Sequence, residues 1–236
     1  MLVDGDPQTK PSAQVADDTD LAVARPDRWV SRAAHKLIAA LDGFGIDPAG
    51  RLALDVGAST GGFSQVLLDR GADRVLAIDV GHDQLAPMLR DEPRLRLAEG
   101  VNARDLDAAL LAQYFDITTL PSLLTADLSF ISLRYVLPAF GASVRDGADA
   151  IVLIKPQFEV GRSGVREGVV HDADLRRRAI VQVLQAASGA GFGVLGVMSS
   201  PLVGAAGNLE YLAHLRSGVD DDPTEWMHAA ATLAGA

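Results

Sequence analysis

The 236-residue sequence contains no cysteine. That excludes a disulfide framework and any zinc site built on thiolates. It also lacks a long apolar run, since none reaches the roughly 18–20 residues that cross a bilayer. The opening MLVDGDPQTKPSAQ has neither the basic nor the apolar stretch of a secretory signal. These absences lead to the expectation of a cytoplasmic chain with no membrane span. His35, His82, His171, His214 and His228 lie far apart with no ligand spacing, so no metal site is expected. Lysine is nearly missing too. Of 21 basic residues only Lys10, Lys36 and Lys155 are lysines, and the rest are arginine. The chain uses arginine wherever a generic cation suffices. A desolvated lysine can lose its proton and act as a base, which arginine cannot. The few lysines are therefore the places to ask what arginine fails to supply.

The net charge is −10, which looks unfavourable for a nucleic-acid partner. Its distribution matters more than its sum. Residues 1–24 hold five Asp against one Lys, and residues 217–236 hold three Asp and one Glu. The stretch between them is close to neutral. Within it, Arg25, Arg28, Arg32, His35 and Lys36 form one basic cluster, and Arg162 and Arg166 another. Either could meet phosphates, and either could equally be a solvated face.

The length suits one sizeable α/β domain and is too short for two. Residues 1–25 read as an Asp-rich arm, and residues 26–236 as the domain. Ser31 is placed to cap a helix running to about Phe44, with Leu37, Ile38, Leu41 and Phe44 on one face. Strands and helices then alternate. Strands are expected at Leu52–Val56, Arg74–Asp79, Leu95–Glu99, Ser122–Asp127, Ala150–Lys155, Phe192–Met198 and Glu210–Arg216. Helices are expected at Phe63–Arg70, Leu133–Phe140 and Asp172–Ala187, and a last one after the cap Asp222-Pro223-Thr224-Glu225. Unbroken apolar strands between helices imply a mostly parallel seven-stranded sheet covered on both faces.

The run Leu54-Asp55-Val56-Gly57-Ala58-Ser59-Thr60-Gly61-Gly62-Phe63 is a strand, a glycine-rich turn and a helix start. Glycines let a ligand approach the backbone, and a helix N-terminus presents free N–H groups to it. The dinucleotide fingerprint Gly-x-Gly-x-x-Gly fails at Ser59, and the phosphate loop of nucleotide triphosphatases fails for want of a lysine. The spacing suits S-adenosylmethionine. Asp79, at the end of the second strand, can accept from ribose hydroxyls, although dehydrogenases also place an acid there.

Asp55–Phe63, preceded by Ser31-Arg32-Ala33-Ala34-His35-Lys36, resembles the TlyA (hemolysin A) family of ribosomal RNA methyltransferases, relatives of the FtsJ-type ribose 2′-O-methyltransferases. The resemblance continues through Thr125-Ala126-Asp127-Leu128-Ser129-Phe130-Ile131-Ser132 and Leu153-Ile154-Lys155-Pro156-Gln157-Phe158-Glu159, and ends at Gly207-Asn208-Leu209-Glu210-Tyr211. It implies a Rossmann-like class I methyltransferase fold and methylation of a ribose, that of cytidine, in ribosomal RNA within ribosomal subunits. S-adenosylmethionine would be consumed and S-adenosylhomocysteine released. It implies a catalytic set of Lys36, Asp127, Lys155 and Glu210. It also implies a cofactor site of Asp55, Gly57, Ala58, Ser59, Thr60, Gly61, Gly62, Phe63, Asp79, Asn102 and Asp127. Members of that family begin with a small RNA-binding module, of which residues 1–25 read as the remnant and linker.

The chemistry so implied suits these side chains. Lys155 ends an apolar strand, where burial and the neighbouring cation of Lys36 favour a neutral amine able to take the hydroxyl proton. Asp127 would orient Lys155, Glu210 would hold one lysine, and Lys36 would steady the developing alkoxide. Absent residues exclude neighbouring chemistries. Pyrimidine C5 methylation needs a cysteine nucleophile. Amino-group methylation uses Asn/Asp-Pro-Pro-Tyr/Phe after the fourth strand, where this chain has Asp127-Leu128-Ser129-Phe130. Three rival readings remain: a nicotinamide-dependent oxidoreductase, a membrane-acting haemolysin, and a cofactor-binding domain left inactive without its RNA-binding module.

Overall fold

In the computed structural model, the described residues are 27–204, 206–220 and 226–235, with Leu2–Val3, Asp6–Pro7, Val15, Thr19 and Leu21–Ala22 before them. The strands β1 (Leu2–Val3), β2 (Asp6–Pro7) and β3 (Leu21–Ala22) form a small antiparallel sheet in the order β2-β1-β3. Arg25 and the cap Asp222–Glu225 lie outside the described residues.

The main sheet has seven strands: β4 (Leu52–Val56), β5 (Arg74–Asp79), β6 (Leu95–Glu99), β7 (Leu123–Ala126), β8 (Asp149–Ile154), β9 (Phe192–Ser199) and β10 (Tyr211–Ser217). Their order is β6-β5-β4-β7-β8-β10-β9. The first five pair in parallel, and β10 inserts antiparallel between β8 and β9. Chain order reverses between β4 and β7, and the carboxyl ends of those strands open a crevice there.

Side-chain alternation along each strand assigns residues to one of two cores. Leu54, Val56, Leu76, Ile78, Leu124, Val152 and Ile154 face one side. They are covered by α4 (Ala108–Phe115), α5 (Leu137–Gly141), α6 (Ala173–Gly189) and α7 (Trp226–Gly235). Ala53, Val75, Ala77, Leu123, Ile151 and Leu153 face the other. There they meet α1 (Ala33–Phe44), α2 (Gly62–Asp69) and α3 (Pro87–Arg90). All six residues of β8 are buried, as a strand covered on both faces requires. No helix among the described residues is long and apolar enough to cross a membrane.

Two expectations need correction. Leu133–Phe140 is not one helix. A 3₁₀ turn over Leu133–Tyr135 breaks at Val136 before α5 begins, because Pro138 has no N–H to continue the ladder. Arg32, not Ser31, occupies the cap position of α1, although Ser31 Oγ accepts the Ala33 N–H at 3.1 Å.

Candidate active site

The loop from β4 to α2 holds its shape through residues with positive φ. Gly57 (φ +85°) donates its N–H to Ile78 O at 2.8 Å. A Cβ there would lie 2.7 Å from Asp127 O, so glycine is what lets the ends of β4 and β7 touch. Gly61 (φ +94°) serves differently, since a side chain on it would strike Leu85 and Leu89. It protects the packing of the loop on the segment from residue 85 to α3 and leaves the ligand space untouched.

Above the loop, a cleft of about 630 Å³ is walled by Ile78, Val80, Val101, Leu128 and Ile131, with Asp79 and Asn102 at its rim. Asp79 Oδ2 accepts the Ser59 N–H at 2.8 Å and Oδ1 accepts the Gly81 N–H at 2.7 Å. Each oxygen keeps a lone pair for a hydroxyl. Asn102 Oδ1 accepts the Arg104 N–H at 3.1 Å. Apolar walls for an aromatic base beside a fixed carboxylate for a ribose fit an adenosyl group.

Asp55 does not reach this cleft. It is fully buried, with Oδ2 accepting from Ser64 Oγ at 2.6 Å and Oδ1 from Thr125 Oγ1 at 3.0 Å. Burial pushes its carboxyl up to about 6, against the pull of those two hydroxyls. Its place is beneath the loop, tying α2 and β7 to β4.

A smaller recess of about 170 Å³ lies between the start of α1 and the loop. Ala58, Thr60, Gly62 and Phe63 line it on one side and Lys155 on the other. Gly57, Ser59, Asp127 and Ser129 line both recess and cleft, so the two spaces meet at the end of β7.

Lys155 Nζ lies 2.6 Å from Asp127 Oδ1 and donates to Ser129 Oγ at 3.0 Å. The Asp127 contact is an ion pair without hydrogen-bond alignment, and its Oδ1 is buried. Lys36 Nζ donates to Glu210 Oε2 at 2.5 Å, and both side chains are buried. Ile154 stands opposite Tyr211 in the β8–β10 ladder, so its next step sets Lys155 against Glu210. Residues directly opposite on antiparallel strands share a face. The two lysine–carboxylate pairs thus stand at the same end of the sheet, with Asp127 and Lys155 just past β7 and β8, Glu210 just before β10, and Lys36 on α1.

This arrangement changes the expected electrostatics. Lys36 is neutralised by Glu210, so Lys155 does not face a bare cation. The first basic cluster is dispersed as well. Arg28 pairs with Asp69 at 2.8 Å, His35 pairs with Asp27 at 2.6 Å, and Lys36 turns inward.

Three side chains that the sequence reading left without a role shape the rim. Glu159 is buried and accepts from Ser132 Oγ at 2.5 Å and Leu133 N at 2.9 Å, which fastens the loop after β7 to the loop after β8. Burial raises its carboxyl. Phe130, between these anchors, is exposed with φ +65°. Asn208 Oδ1 accepts the Val170 N–H at 3.0 Å, while its Nδ2 donates to Gly168 O at 2.7 Å. All three sit inside the motif runs, but only their tertiary partners reveal what they do. Among the described residues, no group of three His, Asp or Glu side chains could hold a metal ion.

Residues 29–217 match the FtsJ-like methyltransferase family. A 16S/23S rRNA (cytidine-2′-O)-methyltransferase TlyA of Mycobacterium tuberculosis is 50% identical over 222 residues, covering 92% of this chain and 80% of the relative. A solved structure from Streptococcus thermophilus, named as a hemolysin, superposes with a TM-score of 0.83 at 36% identity, covering 99% of this chain and 86% of that one. An S-adenosylmethionine-dependent methyltransferase from Mesorhizobium loti shares the fold at 14% identity, with a TM-score of 0.54 and coverage of 75% and 95%.

Proposed function

The chain belongs to the FtsJ-like methyltransferase family, and on that premise we propose that it methylates the ribose 2′-hydroxyl of a cytidine in ribosomal RNA. The observation that carries the reading is the Lys155–Asp127 pair, 2.6 Å apart where the cleft and the recess share a wall. The cytidine and ribosomal RNA come from the name of the Mycobacterium tuberculosis relative.

S-adenosylmethionine, bound in the cleft, would supply a methyl on a sulfonium and leave as S-adenosylhomocysteine. Asp79 would hold its ribose, while Gly57 and Ser59 offer backbone against it. The acceptor ribose would enter the recess. A 2′-hydroxyl is a weak nucleophile at neutral pH, so alignment and proton removal are what the protein has to supply. As the free amine, Lys155 takes the hydroxyl proton at Nζ while the oxygen–carbon bond forms and the carbon–sulfur bond breaks, and the ammonium paired with Asp127 is the state that the step leaves, to be deprotonated by solvent before the next turnover. Asp127 and Ser129 aim that amine. Glu210 and Lys36, a buried pair that lines neither space, brace α1 against the end of the sheet that carries Lys155.

The test is transfer of tritiated methyl to ribosomal subunits, followed by mapping of alkali-resistant positions. Label at a cytidine 2′-oxygen is the expected result. Label on a base, or no transfer by protein that binds S-adenosylmethionine, overturns the reading.

A further inference from the structure

Gln84 lines the cofactor cleft on the same wall as Ser59, Asp79 and Gly81. The backbone on either side of it is pinned. Asp83, at φ +57°, donates its N–H to Glu99 Oε1 at 2.8 Å, and the Ala86 N–H donates to Thr60 O at 3.1 Å. Leu85, between them, is buried. An exposed side chain is thus carried on a fixed stretch of chain beside the cleft.

The amide of Gln84 is half engaged. Its Oε1 accepts from Ser59 Oγ at 3.1 Å, and Nε2 has no hydrogen-bond partner among the described residues. Gly81 shows where Nε2 stands. The φ of Gly81 lies outside the left-handed region, so the backbone there does not call for glycine. A Cβ on it would lie 1.8 Å from Gln84 Nε2 and 3.2 Å from Asp79 Oδ1. The missing side chain makes room for the amide N–H2 on the side of the Asp79 carboxylate.

That combination selects a hydroxyl. A carboxylate only accepts and an amide N–H2 only donates, whereas a hydroxyl does both. A hydroxyl whose proton goes to Asp79 keeps lone pairs on its oxygen for Gln84. A phosphate would suit the amide and be repelled by the carboxylate, and an ammonium would suit the carboxylate and leave the amide unpaired.

We infer that Gln84 completes the ribose subsite of the methyl donor, with Nε2 donating to the oxygen of a ribose hydroxyl whose proton Asp79 accepts. The inference rests on reading the cleft as the S-adenosylmethionine site and adds a specificity residue to it. Two groups of opposite hydrogen-bonding sense check the same hydroxyl, and a deoxyribose leaves both without it.

Calorimetric titration of the chain with S-adenosylhomocysteine and with its 2′-deoxy and 3′-deoxy forms tests this. Gln84→Met keeps the length of the side chain without the amide. It should bind S-adenosylhomocysteine about three- to tenfold more weakly than the wild type, the net scale of one hydrogen bond. It should bind one of the two deoxy forms at least as tightly as the wild type does. Gly81→Ala should lose a similar factor with thermal stability unchanged, since its Cβ displaces only the free end of a side chain. Unchanged affinity for S-adenosylhomocysteine in either variant overturns the inference, and so does an equal fall on all three ligands in Gln84→Met. Failure of the wild type to bind S-adenosylhomocysteine overturns the reading of the cleft, and this inference with it.

Discussion

Lys36 and Lys155 carry the same functional group in different settings, and their partners decide what each can do. The scarcity of lysine pointed to both before any fold was known. Lys36 is buried against Glu210, whereas Lys155 opens into the recess beside Asp127. Lys155→Arg should therefore be as inactive as Lys155→Ala, because a guanidinium keeps the charge and cannot serve as a neutral base. The expected loss in turnover is about 10²–10⁴-fold, with S-adenosylmethionine affinity within a few-fold of wild type. Retained turnover in the arginine variant would move the base to Asp127. Asp55 is a residue whose role was not legible. Its acid sits in the most recognisable motif of the chain, yet its partners lie 9 and 70 positions away, and only the fold makes it a buried brace. Its carboxyl is raised from 3.8 to about 6, so the folded state favours the neutral form. Its ionisation lowers stability as pH rises through that interval. Asp55→Asn removes the penalty and, as the hydroxyls rotate, keeps a partner for each. Between pH 4 and pH 8 the variant should gain on the wild type by about 2 kcal/mol, read from denaturant midpoints at the two pH values. A difference independent of pH would mean that Asp55 is not held in this way.

All seven strands of the main sheet were legible, most as apolar runs bounded by glycine, proline or a charged residue, although Arg96 interrupts β6 and β10 was read from its alternation. The helices were less so. The α4 segment Ala108–Phe115 was missed, although Asp107 caps it by accepting the Leu110 N–H at 2.7 Å. The equally short α2 is framed by Gly61–Gly62 and Gly71, whereas no glycine or proline marks either end of α4. The loops after β8 and β9 were opaque for a different reason. Their order comes from single side chains acting across the sheet edge, and no periodicity records that. Asn208 is the clearest case, since it clamps the turn at Gly168–Val170 onto the segment that presents Glu210. Asn208→Ala removes both of its side-chain hydrogen bonds and leaves the Val170 N–H buried without a partner. The expected outcome is faster proteolytic cleavage within residues 161–170 and roughly tenfold lower methyl transfer, with S-adenosylmethionine binding intact. Unchanged protease sensitivity would show that the clamp is idle.

At the scale of the molecule, the sheet is pinned at the end opposite the active site. Asp149 opens β8 and accepts from Arg51, His214 and Arg216. Burial pushes its carboxyl up, but those three donors outweigh it and hold it well below the usual range. A depressed carboxyl contributes its full stability above the unfolded value of 3.8 and loses it as pH falls toward the folded value. Asp149→Ala should cost about 3–5 kcal/mol at pH 7, the scale for breaking a buried ion pair. The gap from wild type should narrow only below pH 4, and urea titrations at pH 7 and pH 3 measure both effects. Sequence patterning conveyed the parallel sheet and its two covered faces. It did not convey this network, whose members come from before β4, the start of β8 and along β10. The position of β10 sets a schedule for synthesis. Every residue of the cleft has been made by Ile131, while Glu210 and the strand after it follow much later and must slot between β8 and β9. A growing chain therefore completes the residues of the cleft some eighty residues before it reaches Glu210. On the proposed reading, such a chain could bind the donor before it could catalyse, and would gain its acceptor set only when β10 goes home.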